Sequence, residues 1–102
     1  MDQIKIVEAL ELGQIQWRRH ALERMLQRGI GRSEVKKALI FGEIIESYET
    51  DVPFESALFF HNVEKTLHVV ASLDELNKMV YIITAYEPDI LHFEDDLKTR
   101  KK

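Results

Sequence analysis

Residues 66–86, TLHVVASLDELNKMVYIITAY, hold two runs rich in β-branched and aromatic residues on either side of DELN, a cluster of turn formers. That composition and the short break read as two antiparallel strands joined by a tight connection. In the first run the period is two. Leu67, Val69, Ala71 and Leu73 point one way, and Thr66, His68, Val70 and Ser72 point the other. The first set makes a core face, so His68 faces away from the main core, toward an open side. Whether Thr84 and Tyr86 join His68 there depends on the strand register, because a slip of one residue reverses every side chain. The sequence leaves that register open.

Working outward, EIIESY (43–48) and SALFF (56–60) have the same strand-forming character. The breaks between runs contain Asp51 and Pro53, then NVEK, then DELN. Links this short favour an antiparallel meander of about four strands. Beyond them Pro88 closes the last strand, Asp89 is placed to cap, and the spacing of Ile90, Phe93 and Leu97 predicts a short C-terminal helix before KTRKK.

The chain before residue 43 has the helical period instead. Ile4, Val7, Ala9 and Leu10 predict a short amphipathic helix that stops at Gly13. QIQW follows as an extended connector anchored by Trp17. A second helix starts at Arg19, with Ala21, Leu22, Met25 and Leu26 on one face. It ends where Arg28 meets Gly29 and Ile30, a pattern suited to a left-handed glycine and an apolar residue folding back. Ser33 is the expected cap of a third helix, with Glu34 in its first turn and Val35, Ala38 and Leu39 as its buried stripe before Gly42. Helices first and strands afterwards give an α+β fold, with the N-terminal helices packed on one face of the sheet.

The chain has 102 residues, which fits a single domain spanning 1–102. Net charge is −4, from 14 basic and 18 acidic residues, which argues against a general nucleic-acid coat. There is no cysteine, so disulfides, thiolate metal sites and cysteine nucleophiles are excluded. MDQIKIVEALELGQ lacks the basic start and unbroken apolar run of a signal peptide, and no apolar run approaches a membrane span. The expectation is a soluble, cytoplasmic protein with no membrane partner. His61, His68 and His92 lack the spacing of a recognised zinc site, and no glycine-rich phosphate loop is present, so neither metal nor cofactor is expected.

Against the acidic total, RRHALERMLQRGIGRSEV (18–35) is locally basic. On a helix His20, Arg24 and Arg28 fall within an arc of about 80°, beside the apolar group. Two guanidiniums and an imidazole along the border of core and solvent suit a phosphodiester: the arginines as a clamp, the histidine as acid or base. The plainer reading is a wet helix face, with Glu23 and Glu34 at hand for exposed ion pairs. The two helices around GIGR also have the outline of a helix-turn-helix. The second of them, SEVKKALIF, offers lysines but no Arg, Asn or Gln to read bases.

Taken in order, the motifs resemble a known family. They are His20-Ala-x-x-Arg24-Met25-x-x-Arg28-Gly29-Ile30, Val35, Ala38-Leu39, Gly42-Glu43-Ile44-Ile45, Tyr48, Asp51-x-Pro53, Leu67-His68-Val69-Val70, Ile82-Ile83-Thr84-x-Tyr86-x-Pro88-Asp89 and Arg100. The family is that catalogued as domain of unknown function 4258. Its members are similar to the small toxins of bacterial toxin–antitoxin pairs of the RelE and BrnT types, compact α+β ribonucleases. The resemblance implies a metal-independent endoribonuclease toxin with RNA as substrate and an antitoxin protein as partner. It implies His20, Arg24 and Arg28 at the site, with His68 and Tyr86 as further candidates. The chain departs from the family at Phe93, where tryptophan is frequent. The alternative expectation is a non-enzymatic protein-interaction module of the same fold, binding a partner at its sheet edge or open face.

Overall fold

Asp2 opens the first helix: its carboxylate accepts the backbone N–H of Ile4 at 3.0 Å, an N-cap that leads into α1 (Gln3–Glu11). The computed structural model describes residues 1–102. Ile6 and Ala9 are the buried residues of α1, and Gly13 turns the chain through a left-handed conformation at φ 71°. The connector QIQW is then drawn into the sheet as β1 (Ile15–Trp17). α2 (Arg19–Arg28) ends at Gly29, also left-handed, whose N–H and that of Ile30 return to the carbonyls of Leu26 and Met25. α3 (Arg32–Phe41) starts two residues earlier than a cap at Ser33 would dictate. Glu34 reaches back to accept the N–H of Gly31 at 3.0 Å, so Gly31, and not Ser33, occupies the cap.

Four strands follow: β2 (Glu43–Tyr48), β3 (Ser56–Asn62), β4 (Thr66–Asp74) and β5 (Met79–Tyr86). The sheet order is β1-β5-β4-β3-β2. The meander β2 to β5 is antiparallel as its short links require, but β1 lies parallel to β5, pairing Ile15 with Val80 and Trp17 with Ile82. The sheet is therefore five-stranded and mixed. Three residues give too short an alternation to announce an edge strand, and α2, α3 and the meander supply the long crossover that a parallel pair needs.

The helices cover one face. Ala21 and Met25 of α2 and Val35, Ala38 and Leu39 of α3 meet Phe59, Leu67, Val69, Ala71, Leu73, Val80, Ile82 and Ala85 in one cluster. Leu26 does not belong to it; it is 84% exposed, because the contact stripe of α2 is Ala21 and Met25 with Leu22 half-buried at its margin. Gly42, between α3 and β2, has no room for a side chain: a Cβ there would run into the backbone carbonyls of Ala38 and Phe60.

The expected C-terminal helix does not form. Asp89 accepts the backbone N–H groups of Leu91 and His92, and Asp96 those of Lys98 and Thr99, so both aspartates stabilise turns instead of a helix. Leu97 takes a positive φ of 58°, and Phe93 bridges back to Arg100. Residues 87–100 thus fold as a tight loop lying on the sheet face opposite the helices. No helix of the protein is long and apolar enough to cross a membrane.

Candidate active site

The register of β4 and β5 decides the site. His68 pairs directly with Tyr86, and Val70 with Thr84, so all four side chains share the face away from the helices. Between Val70 and Ala71 the register shifts, and Ala71 pairs with Ile82, leaving Ile83 as the extra residue of a bulge. The bulge reconciles two demands that strict alternation cannot meet together. It keeps Val80 and Ile82 in the core while returning Ala85 to the core and Tyr86 to His68.

This face is not open at His68. The ring is fully buried, enclosed edge-on by Phe60, Tyr86 and Phe93 at centroid distances of 6.0, 5.2 and 4.7 Å. Its Nε2 lies 2.6 Å from the Leu97 carbonyl, which can only accept, so Nε2 carries the proton. Nδ1 is then the acceptor for the Tyr86 hydroxyl at 3.2 Å. Burial pushes the His68 imidazolium pKa below its ordinary value, against the opposing pull of the Leu97 carbonyl and the Glu46 carboxylate. Burial likewise pushes the Tyr86 phenol up, so it is protonated at neutral pH.

Beside this pair, Arg100 donates from Nε to both oxygens of Glu46, at 3.2 and 2.9 Å, and its guanidinium lies 5.1 Å from the centre of the Phe93 ring. Tyr48 also donates to Glu46. Burial alone would raise the Glu46 carboxyl, but the hydrogen bonds from Tyr48 and Arg100 outweigh it and hold the pKa below the usual value. Lys98 adds a second tie, 2.6 Å from Glu43 and 4.7 Å from the centre of the Phe60 ring. The loop is thus pinned over His68 by one backbone carbonyl, two ion pairs and two rings.

A cleft of about 520 Å³ opens where α2, the end of β5 and this loop meet; Arg28, Tyr86, Pro88, His92, Phe93 and Arg100 line it together with two acids, Glu87 and Asp89. Arg28 is held there by donating Nη1 to the Ala85 carbonyl at 2.8 Å. His92 Nδ1 lies 2.9 Å from Asp89 Oδ1, and Glu87 approaches Lys65 at 4.0 Å. Glu87 therefore has a lysine and Asp89 an imidazole beside it, whereas Arg28 meets no carboxylate. The cleft can receive an anion at Arg28, next to a phenol hydrogen-bonded to an imidazole.

Of the residues expected from the sequence, Arg28, His68 and Tyr86 come together. His20 and Arg24 do not line the cleft. The His20 side chain is 93% exposed on the outer turn of α2, with Glu23 3.8 Å away as its neighbour.

Residues 17–87 match the family described as Domain of unknown function (DUF4258). The chain belongs to that family. The DUF4258 match takes in Arg28, His68 and Tyr86, and ends before Asp89, His92, Phe93 and Arg100, so the loop that covers His68 lies beyond it. No curated protein and no solved structure matches the chain. Sequence reasoning missed Glu46 and gave His92 no role. The signal for His92 was the three-residue spacing from Asp89, which a helix cap explained too readily; Glu46 carried none, because its partner is 54 residues away.

Proposed function

We propose that the chain is a toxin-like, metal-independent endoribonuclease whose reaction centre is the cleft at Arg28, Tyr86 and Arg100. The observation that carries the reading is the hydrogen bond from Tyr86 to the buried Nδ1 of His68, beside an arginine with no carboxylate partner. Cleavage of RNA without a metal requires a group to take the 2′-hydroxyl proton, cations over the phosphate and an acid for the leaving oxygen. A phenol with a raised pKa is a poor base by itself. Joined to His68 it becomes a relay: the 2′-hydroxyl proton passes to the Tyr86 oxygen as the Tyr86 proton passes to Nδ1. The Glu46 carboxylate favours the imidazolium so formed. The 2′-oxygen attacks phosphorus, Arg28 and Arg100 balance charge on the non-bridging oxygens, and the 5′-oxygen leaves with a proton from His92. The products are a 2′,3′-cyclic phosphate and a 5′-hydroxyl.

In this reading the activity belongs to a toxin–antitoxin pair with a protein antitoxin as partner, an extension that rests on the resemblance of the sequence motifs to the RelE and BrnT types. A second reading, a non-enzymatic interaction module, is favoured by one specific feature: Phe41 and Val63, 73% and 75% exposed, line a groove with Leu67 on the other side of α3. The two are separated by incubating labelled single-stranded RNA with the protein in excess chelator. Cyclic-phosphate ends made by the wild type and lost in Tyr86→Phe support the nuclease; intact RNA with the wild type favours the module.

A further inference from the structure

Residues 18–32 hold five arginines and one acid in a chain whose net charge is −4. Only Arg19 pairs with a carboxylate, Glu23 at 3.1 Å. Arg18 and Arg32 instead lie over the rings of Tyr81 and Trp17, at 5.5 and 5.6 Å. Arg24 has no side-chain partner at all, although acids outnumber bases in the chain. Elsewhere Lys5, Lys65, Lys98 and Arg100 have acid partners, whereas Lys36, Lys37, Lys78, Lys101 and Lys102 have none, but no lysine lines the cleft that holds Arg28. On α2 itself Arg24 and Arg28 are left without a carboxylate, one turn apart and leading into the cleft, and two such cations in line suit an anion.

His20, Arg24 and Arg28 form one row along α2, and Arg28 is its last member, already inside the cleft. Residues four apart on a helix are displaced by about 6 Å along its axis, close to the repeat of phosphates along an extended single strand. We infer that this row is a track for the backbone of single-stranded RNA, on which the strand leaves the cleft at Arg28 and runs past Arg24 to His20. The exposure of His20 agrees with a contact to a solvated phosphate and not with proton transfer in an enclosed site. A flexible single strand also fits better than a duplex, since one helix face offers one line of charge. The inference rests on the cleft being an RNA site and extends it from one phosphate to three.

The test is fluorescence anisotropy with labelled oligouridylates of two to eight nucleotides, using Tyr86→Phe protein so that the probe survives. Affinity is expected to rise with length to about four nucleotides and then level off. Arg24→Ala is expected to weaken the hexamer at least tenfold, to leave the dinucleotide within twofold, and to lower the salt dependence by about 0.7 in log–log slope, the loss of one phosphate contact. Alanine is the better helix former at an exposed position, so the variant should fold, as circular dichroism will show. Equal binding of dinucleotide and hexamer, or hexamer binding untouched by Arg24→Ala, would overturn the track. So would a poly-glutamate peptide of equal charge that binds as tightly as RNA. Failure of the nuclease reading looks different: tracked, length-dependent binding with no cleavage by the wild type.

Discussion

Tyr86 and His68 face each other across β4 and β5, and the tyrosine hydroxyl donates to an imidazole nitrogen that has no access to solvent. Everything else at the site serves or limits that contact. The bulge at Ile83 brings the two side chains to one face, the Leu97 carbonyl fixes the imidazole tautomer, and Arg28 sets a cation beside the phenol.

The buried imidazole makes stability depend on pH near neutrality. The folded-state pKa of His68 is lowered from its ordinary 6.5, so the unfolded chain binds the proton first as pH falls. The stability from the neutral, buried ring is complete above that value and is lost as pH drops from 6.5 toward the folded value. Urea midpoints measured from pH 8 to 5 should fall across this window, and His68→Gln should flatten the fall. An equal slope in both proteins would show that His68 is not the group responsible. Glu46, Asp89 and Asp96, all lowered, add losses only below about pH 4.5.

Arg100 holds the loop over His68 more than it stabilises the fold. Its guanidinium is 55% exposed, and an ion pair so placed is worth about 0–1 kcal/mol. Arg100→Ala should therefore shift the unfolding midpoint little. It should speed amide exchange at Phe93 and Lys101, whose N–H groups bond to Asp89 and His92 within the loop. Unchanged exchange at both amides would mean that Leu97 and Phe93 secure the loop without it.

Gly42 is required by space. Adding a methyl group drives it into the backbone of β3 at Phe60, which cannot yield as a side-chain tip would. Gly42→Ala should cost about 1–3 kcal/mol, in the range of overpacked cores, read from thermal or urea unfolding. A neutral effect would mean that α3 and β2 shift apart more freely than this junction suggests.

Much of the architecture was legible. The alternation of Leu67, Val69, Ala71 and Leu73 gave the core face of β4, and glycines 13 and 29 marked two helix ends. The rest was hidden for physical reasons. β1 is too short for a period, and its partner β5 is 65 residues on. Ile90, Phe93 and Leu97 have helical spacing, but Asp89 and Asp96 capture backbone donors and break the helix. The site depended on two bulges, one at Ile83 and one between Ile44 and Glu46 that turns Glu46 toward Arg100. With strict alternation Tyr86 could not face His68 while Val80 and Ile82 stayed in the core. The row of His20, Arg24 and Arg28 was visible from spacing alone, but its division into a cleft residue and two outer ones was not.

The decisive measurement is single-turnover cleavage of a labelled RNA in excess chelator by wild type, Tyr86→Phe and His20→Ala. The account predicts that Tyr86→Phe loses a hundredfold or more, the lower range of lost acid–base catalysis. His20→Ala, with its side chain outside the cleft, should keep the chemical rate once RNA is saturating. A folded Tyr86→Phe protein that cleaves at the wild-type rate, or a His20→Ala protein that does not cleave at all, would contradict it.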